Sequence, residues 1–104
     1  MKAFKKIING KMYNTETAKE LADYWNGYHG HDFGYTWEYL FIKKTVEYFL
    51  YGEGGALSRY AEHVAGGSVF GRKIIPMTEK EAQEWVMEHC DTDTYIELFG
   101  EVEE

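Results

Sequence analysis

The chain has 104 residues, a length that supports one domain with a single modest core. A hydrophobic content of 44% and a charged content of 28% exclude a disordered chain, and a lone cysteine, Cys90, excludes an internal disulfide framework or a multi-cysteine zinc site. The net charge of −7 is unevenly placed: residues 1–78 carry ten Lys/Arg against eight Asp/Glu, whereas residues 79–104 carry one Lys against ten Asp/Glu.

Lys5 to Ile8, then Asn9-Gly10, then Lys11 to Tyr13 predict a hairpin, because Asn-Gly supplies the positive φ angles of a two-residue turn. Asn14-Thr15-Glu16 reads as a helix cap, and Ala18, Leu21, Ala22 and Trp25 recur at helical spacing, predicting an amphipathic helix over 15–25. A glycine-rich loop follows at 26–34. Two aromatic and β-branched stretches, 36–43 and 47–51, predict a central hairpin with Trp37, Tyr39 and Phe41 on one face and Glu38, Leu40 and Ile42 on the other.

Gly52-Glu53-Gly54-Gly55 reads as a strand break, and Leu57, Tyr60, Ala61 and Val64 suggest a short helix over 56–64. Residues 72–75 predict a further strand closed by Pro76. Thr78 and Glu81 match a capping box for a helix over 79–89, with Ala82, Trp85, Val86 and His89 as its buried stripe. Asp91-Thr92-Asp93 restarts a short helix whose Tyr95, Ile96 and Phe99 face inward. The expectation is a single α+β domain spanning 1–104. It comprises a small antiparallel sheet (central aromatic hairpin, N-terminal hairpin and one further strand), three to four short helices, and an acidic helical segment at 79–104. Strand order stays open at this point.

The chemistry-bearing patterns are sparse. His29, His31 and Asp32 form the best metal-ligand triplet, with His63, Glu53 or Glu62 as remote additions, but a turn-forming loop accounts for the same residues more simply. The 52–55 glycines resemble a phosphate cradle without its Lys-Ser/Thr pair; Tyr51, Glu53 and Tyr60 would wall such a ligand loop. Cys90 adjoins His89, yet helical neighbours diverge by about 100° and do not share a proton. Ser58 and Ser68 lack a nucleophile motif. No catalytic residue, metal or cofactor is assigned, and an enzyme is not the favoured reading.

Tyr24, Trp25, Tyr28, Phe33, Tyr35, Trp37 and Tyr39 resemble a stacking platform, and Lys5, Lys6, Lys11, Lys43 and Lys44 would cluster if both hairpins shared a sheet. The acidic balance argues against direct nucleic-acid binding. Glu81, Glu84 and Glu88 instead fall on one helical ridge, extended by Asp91, Asp93 and Glu97, and such a row attracts basic protein surfaces. The alternatives are an ordinary solvated helix face, a small-ligand or metal-dependent hydrolytic domain using the 26–34 and 52–55 loops, and a homodimer built on exposed aromatics. No run of about 18 apolar residues or secretory leader is visible, so cytoplasmic residence is the expectation.

Three strings carry a resemblance: 6–18 (KIINGKMYNTETA), 48–55 (YFLYGEGG) and 74–82 (IIPMTEKEA). Together they resemble small acidic proteins of phages and conjugative elements of Gram-positive bacteria. That resemblance implies an inhibitor of host defence, of anti-CRISPR or anti-restriction type, acting on a nucleic-acid-binding nuclease or effector complex. It brings no catalytic motif. At the turn after Thr45 the resembled pattern has glycine where this chain has Val46.

Overall fold

The computed structural model describes residues Met1–Glu104. It is an α+β domain with antiparallel sheets and two helices. Its elements are β1 (Lys5–Ile8), β2 (Lys11–Asn14), β3 (Lys19–Trp25), β4 (Thr36–Ile42), β5 (Tyr48–Gly54), β6 (Glu62–Val64), β7 (Gly67–Val69), β8 (Gly71–Met77), α1 (Glu79–His89) and α2 (Thr92–Phe99). Strands β3-β4-β5-β8 form one four-stranded antiparallel sheet, while β1-β2 and β6-β7 are separate two-stranded hairpins. No helix is long and apolar enough to cross a membrane.

The central pair β4-β5 keeps an unbroken register from Thr36↔Gly54 to Ile42↔Tyr48. Because side chains alternate across a strand, this register sends Phe41, Phe49 and Tyr51 to one face and Leu40 and Leu50 to the other. The first face is covered by the N-terminal hairpin through Tyr13, with Phe4, Ile8 and Ala18 around it. The second is covered by Ala82, Trp85 and Val86 of α1, supported by Leu98 and Phe99 of α2. The core is therefore double, hairpin above and helices below. Leu40, Phe49, Leu50 and Val86 are each fully buried, a transfer worth roughly 1.5–3 kcal/mol per large apolar side chain.

Local chemistry sets the ends of these elements. Asn9 and Gly10 take φ values of 51° and 77°, as the β1-β2 turn requires. At the head of α1 the Glu81 amide donates to Thr78 Oγ1 at 3.1 Å and the Thr78 amide donates to Glu81 Oε1 at 2.9 Å, which completes the capping box. Asp91 Oδ1 accepts from the Thr94 amide at 2.8 Å and starts α2, and Gly100 with φ 92° ends it.

Several expectations are corrected. There are two helices, not three or four. Residues 15–25 are not a helix: Asn14 Oδ1 accepts from the Glu16 amide at 2.9 Å, and the Asn14 carbonyl accepts from the Ala18 amide at 3.1 Å, giving one turn that does not propagate. Thr15, in place of capping a helix, exchanges three hydrogen bonds with the Phe4 backbone and anchors the N-terminal segment. The chain then enters β3, whose register slips between Glu20 and Ala22. That bulge places Leu21 and Ala22 together on the α1 side and leaves Trp25 exposed.

Residues 52–54 do not break a strand but complete β5, and β8 runs through Pro76 to Met77. The 56–64 segment is not helical: Tyr60 and Ala61 are buried, Leu57 is exposed, and 62–64 form β6. Gly52 explains the arrangement. A Cβ there would stand 2.0 Å from Tyr60 Cζ, so only glycine lets the ring lie flat on the strand.

Candidate functional site

Glu38 lies on the α1 face of β4 between apolar neighbours, only 5% exposed. Its carboxylate accepts from the Tyr60 hydroxyl and from Trp85 Nε1, the latter at 2.9 Å. Tyr60 thus reaches Glu38 across the space left by Gly52, and Trp85 reaches it from α1. Burial first, and the neighbouring Glu38 carboxylate second, push the Tyr60 phenol well above its ordinary range, so it stays a donor. Farther out, Arg59 Nη1 stands 3.7 Å and His89 Nε2 3.9 Å from the Glu38 oxygens, with the His89 ring stacked on Tyr24 at 4.1 Å.

Above this floor opens a groove of about 490 Å³ whose rim includes Glu81, Glu84 and Glu88 of α1, all exposed. Arg59 and His89 are the only bases lining it. The three ridge carboxylates are therefore brought together as their spacing implies. Glu81 is also engaged in the helix cap. Asp91, Asp93 and Glu97 do not line this groove; Asp91 caps α2 and borders a different cleft with Met87, Cys90 and Tyr95. The Thr94 hydroxyl and amide bonded to Asp91 hold its carboxyl below the usual carboxylate range.

The other candidates separate. Tyr51 and Glu53 lie on the hairpin side of β5, where Glu53 accepts from Tyr51 at 3.0 Å and from Tyr35 at 2.7 Å. Tyr60 lies through the sheet on the opposite side, so the three do not form the walls of one loop. The 26–34 and 52–55 segments do meet, backbone to backbone: a Cβ on Gly55 would stand 2.3 Å from the Asp32 carbonyl oxygen. His29 and His31 stack at 5.2 Å, while His29 Nδ1 and Asp32 Oδ2 accept backbone amides within the loop. No group of three His, Cys, Asp or Glu side chains is arranged to hold a metal ion.

Cys90 is the half-buried C-cap of α1, and burial, followed by Asp91 and Asp23, pushes its thiol upward, away from the thiolate form. The two hairpins do not share a sheet, and Lys11 and Lys43 are both committed to Glu47, at 2.8 and 3.2 Å. The aromatic set is split as well. Trp25, Trp37 and Tyr39 stack on one another along the open sheet face, Tyr24 stacks on His89 behind it, and Tyr35 is buried.

Sequence reasoning placed Glu38 on its face but gave it no role. The available signal was an acid in line with Leu40 and Ile42 on an otherwise apolar strand face. Fold and groove together define a small α+β domain, a four-stranded antiparallel sheet between a hairpin and two helices, with an acid-rimmed groove. No family model matches the chain, and neither a curated protein nor a solved structure matches it.

Proposed function

We propose that the chain is a non-enzymatic, stoichiometric binding protein of a mobile genetic element that blocks a component of a bacterial defence system, of anti-CRISPR or anti-restriction type. The partner presents a basic surface, such as the nucleic-acid channel of a nuclease or effector complex. The observation that carries this reading is the groove along α1, with Glu81, Glu84 and Glu88 on its rim and Glu38 at its floor. Aligned carboxylates focus a negative potential that speeds encounter with a basic surface and selects for it. The resemblance of the 6–18, 48–55 and 74–82 strings to proteins of phages and conjugative elements supports the mobile-element setting.

The test is a challenge assay in a bacterium that carries a CRISPR nuclease or a restriction endonuclease. Expressing the chain should lower interference, and adding the purified chain at about one equivalent should block the purified nuclease. The double variant Glu84→Lys/Glu88→Lys should lose this effect; Glu81→Gln, which keeps the capping box, tests the third position without unseating α1. Undiminished interference across such nucleases, or full inhibition by the double variant, would refute the reading. High ionic strength should release the complex, because exposed charges are screened within about 10 Å at 0.1 M salt.

A further inference from the structure

The groove along α1 has a floor more specific than an acidic rim alone requires. Across the sheet Glu38 pairs with Tyr24 of β3 on one side and with Gly52 of β5 on the other. Its carboxylate lies between two aromatic walls: Tyr24 with the His89 ring stacked on it at 4.1 Å, and the Tyr60 ring lying over Gly52. Trp85 Nε1 donates to Oε1 at 2.9 Å and the Tyr60 hydroxyl donates to Oε2, so each oxygen accepts one hydrogen bond. An ionised carboxylate has about four acceptor positions, which leaves one open on each oxygen.

The chain's own basic groups stand next to both oxygens without filling those positions. Arg59 Nη1 is 3.7 Å from Oε2 and His89 Nε2 is 3.9 Å from Oε1, too far for hydrogen bonds. The Arg59 guanidinium lies 5.2 Å over the Tyr60 ring, and its side chain is 60% exposed, so little holds it in place. Arg59 thus marks the kind of group that the buried carboxylate attracts. Its distant seating leaves the two oxygens without the pair of parallel donors that a well-placed guanidinium supplies. On the rim, Glu88 Oε2 stands 4.0 Å from His89 Nε2, which joins the exposed acids to this floor.

We propose that this groove seats one arginine side chain of the partner, whose guanidinium takes the place of Arg59 at Glu38 and donates to both carboxylate oxygens. The inference rests on the reading of the groove as the partner-facing surface, and it names the group which that surface selects. A planar guanidinium fits between aromatic walls and presents two parallel N–H donors; a lysine ammonium is a compact, strongly hydrated charge that does neither. Glu84 and Glu88, both exposed, act at longer range on any cation and favour arginine and lysine alike. Discrimination belongs to Glu38.

The three tryptophans of the chain donate their indole N–H groups to three different acceptors: Trp25 to the Tyr28 carbonyl, Trp37 to Asp23 and Trp85 to Glu38. The Trp85 indole NMR signal therefore reports on Glu38, with the other two as internal controls. The full-length chain is titrated with acetylated tetra-arginine and tetralysine peptides, with affinities from calorimetry. Tetra-arginine should bind roughly tenfold tighter than tetralysine and shift the Trp85 signal, leaving those of Trp25 and Trp37 in place. Arg59→Gln, which removes the internal competitor, should tighten tetra-arginine by about two- to fivefold, the worth of a surface ion pair, and widen its advantage over tetralysine. Glu38→Gln should erase that advantage; if this variant does not fold, Arg59→Gln and the Trp85 signal carry the test. Glu84→Gln/Glu88→Gln should weaken both peptides and keep the preference. Equal affinity for the two peptides, or an unmoved Trp85 signal at saturation, overturns the arginine seat. If Glu84→Gln/Glu88→Gln still weakens binding in that case, the acid rim stands as the partner surface and only the seat fails. A seated peptide without inhibition of any nuclease upholds the seat and refutes the defence reading alone.

Discussion

Glu38 sits where an apolar side chain would be expected, and its partners make the position sensitive to single changes. Glu38→Ala would strand the Tyr60 hydroxyl and Trp85 Nε1 together. Each buried donor left unpaired costs about 1–3 kcal/mol, so the variant should lose about 3 kcal/mol in urea unfolding. Removing all three polar groups in Glu38→Leu/Tyr60→Phe/Trp85→Phe should recover most of that loss, because an apolar replacement leaves nothing unsatisfied. A triple variant no more stable than Glu38→Ala would show that packing, not hydrogen bonding, holds the cluster. Val46 presents the reverse case. It takes φ 65° while 69% exposed, so a β-branched side chain bears left-handed strain with little burial to offset it. That strain is roughly 1–2 kcal/mol, and glycine returns part of the gain as unfolded-state entropy. Val46→Gly should therefore stabilise the fold by about 0.5–1 kcal/mol, read from the urea midpoint.

Among the elements, the attachment of the β1-β2 hairpin depends visibly on charge. Glu47, in the turn between β4 and β5, accepts from Lys11 of β2 at 2.8 Å, from Thr45 at 2.9 Å and from Lys43 at 3.2 Å. These bonds, the Lys11 bond foremost, hold its carboxyl down at about 2. A lowered folded value means that the contribution is complete above the ordinary carboxylate range and is lost as pH falls towards 2. Acid titration should thus loosen the hairpin, seen as lower amide protection, relative to the intrinsic exchange rate at each pH, in residues 5–14, and Glu47→Gln should flatten that dependence. If protection in the hairpin shows no acid dependence, Glu47 does not clamp it.

Where the sequence spoke clearly, the signal was local. Asn9-Gly10 defines a turn by its own φ angles, and Thr78 with Glu81 satisfies its own amides, so both are legible without the rest of the chain. The failures are tertiary. Ala18, Leu21, Ala22 and Trp25 mimic a helical stripe because the β3 bulge interrupts the two-residue alternation. In space Ala18 joins the hairpin-side core, Leu21 and Ala22 the helix-side core, and Trp25 the open surface. Gly52 and Gly54 read as breakers, whereas they make room for Tyr60 and Ser58 arriving from another segment. The acid-rimmed groove was half legible: α1 periodicity aligned Glu81, Glu84 and Glu88, but nothing local announced that Tyr60, Trp85 and His89 would converge on Glu38.

At the scale of the whole molecule, charge is separated between surfaces. Acids crowd α1 and the residues beyond it, whereas Lys6, Arg72 and Lys73 gather beside β8. Glu84 and Glu88 stand one turn apart on α1, and such like-charged pairs cost about 0.2–0.5 kcal/mol each at low ionic strength. Added sodium chloride should therefore raise the melting temperature of the isolated protein while weakening its hold on a basic partner. In Glu84→Lys/Glu88→Lys the thermal benefit of salt should shrink. A melting temperature indifferent to salt in the parent chain would mean that the acidic row is already relaxed by solvent.

The bulged strand β3 has one further consequence. It forms the outer border of the four-stranded sheet opposite β8, and a border strand offers free amides and carbonyls to any passing chain. The slip at Glu20, with Lys19, Glu20 and Asp23 exposed along it, spoils that template. Straightening and neutralising this strip, for instance with Lys19→Thr/Glu20→Val/Asp23→Thr, would invite neighbouring molecules to zip together, and thioflavin-positive fibrils that the parent chain does not form would be the visible sign.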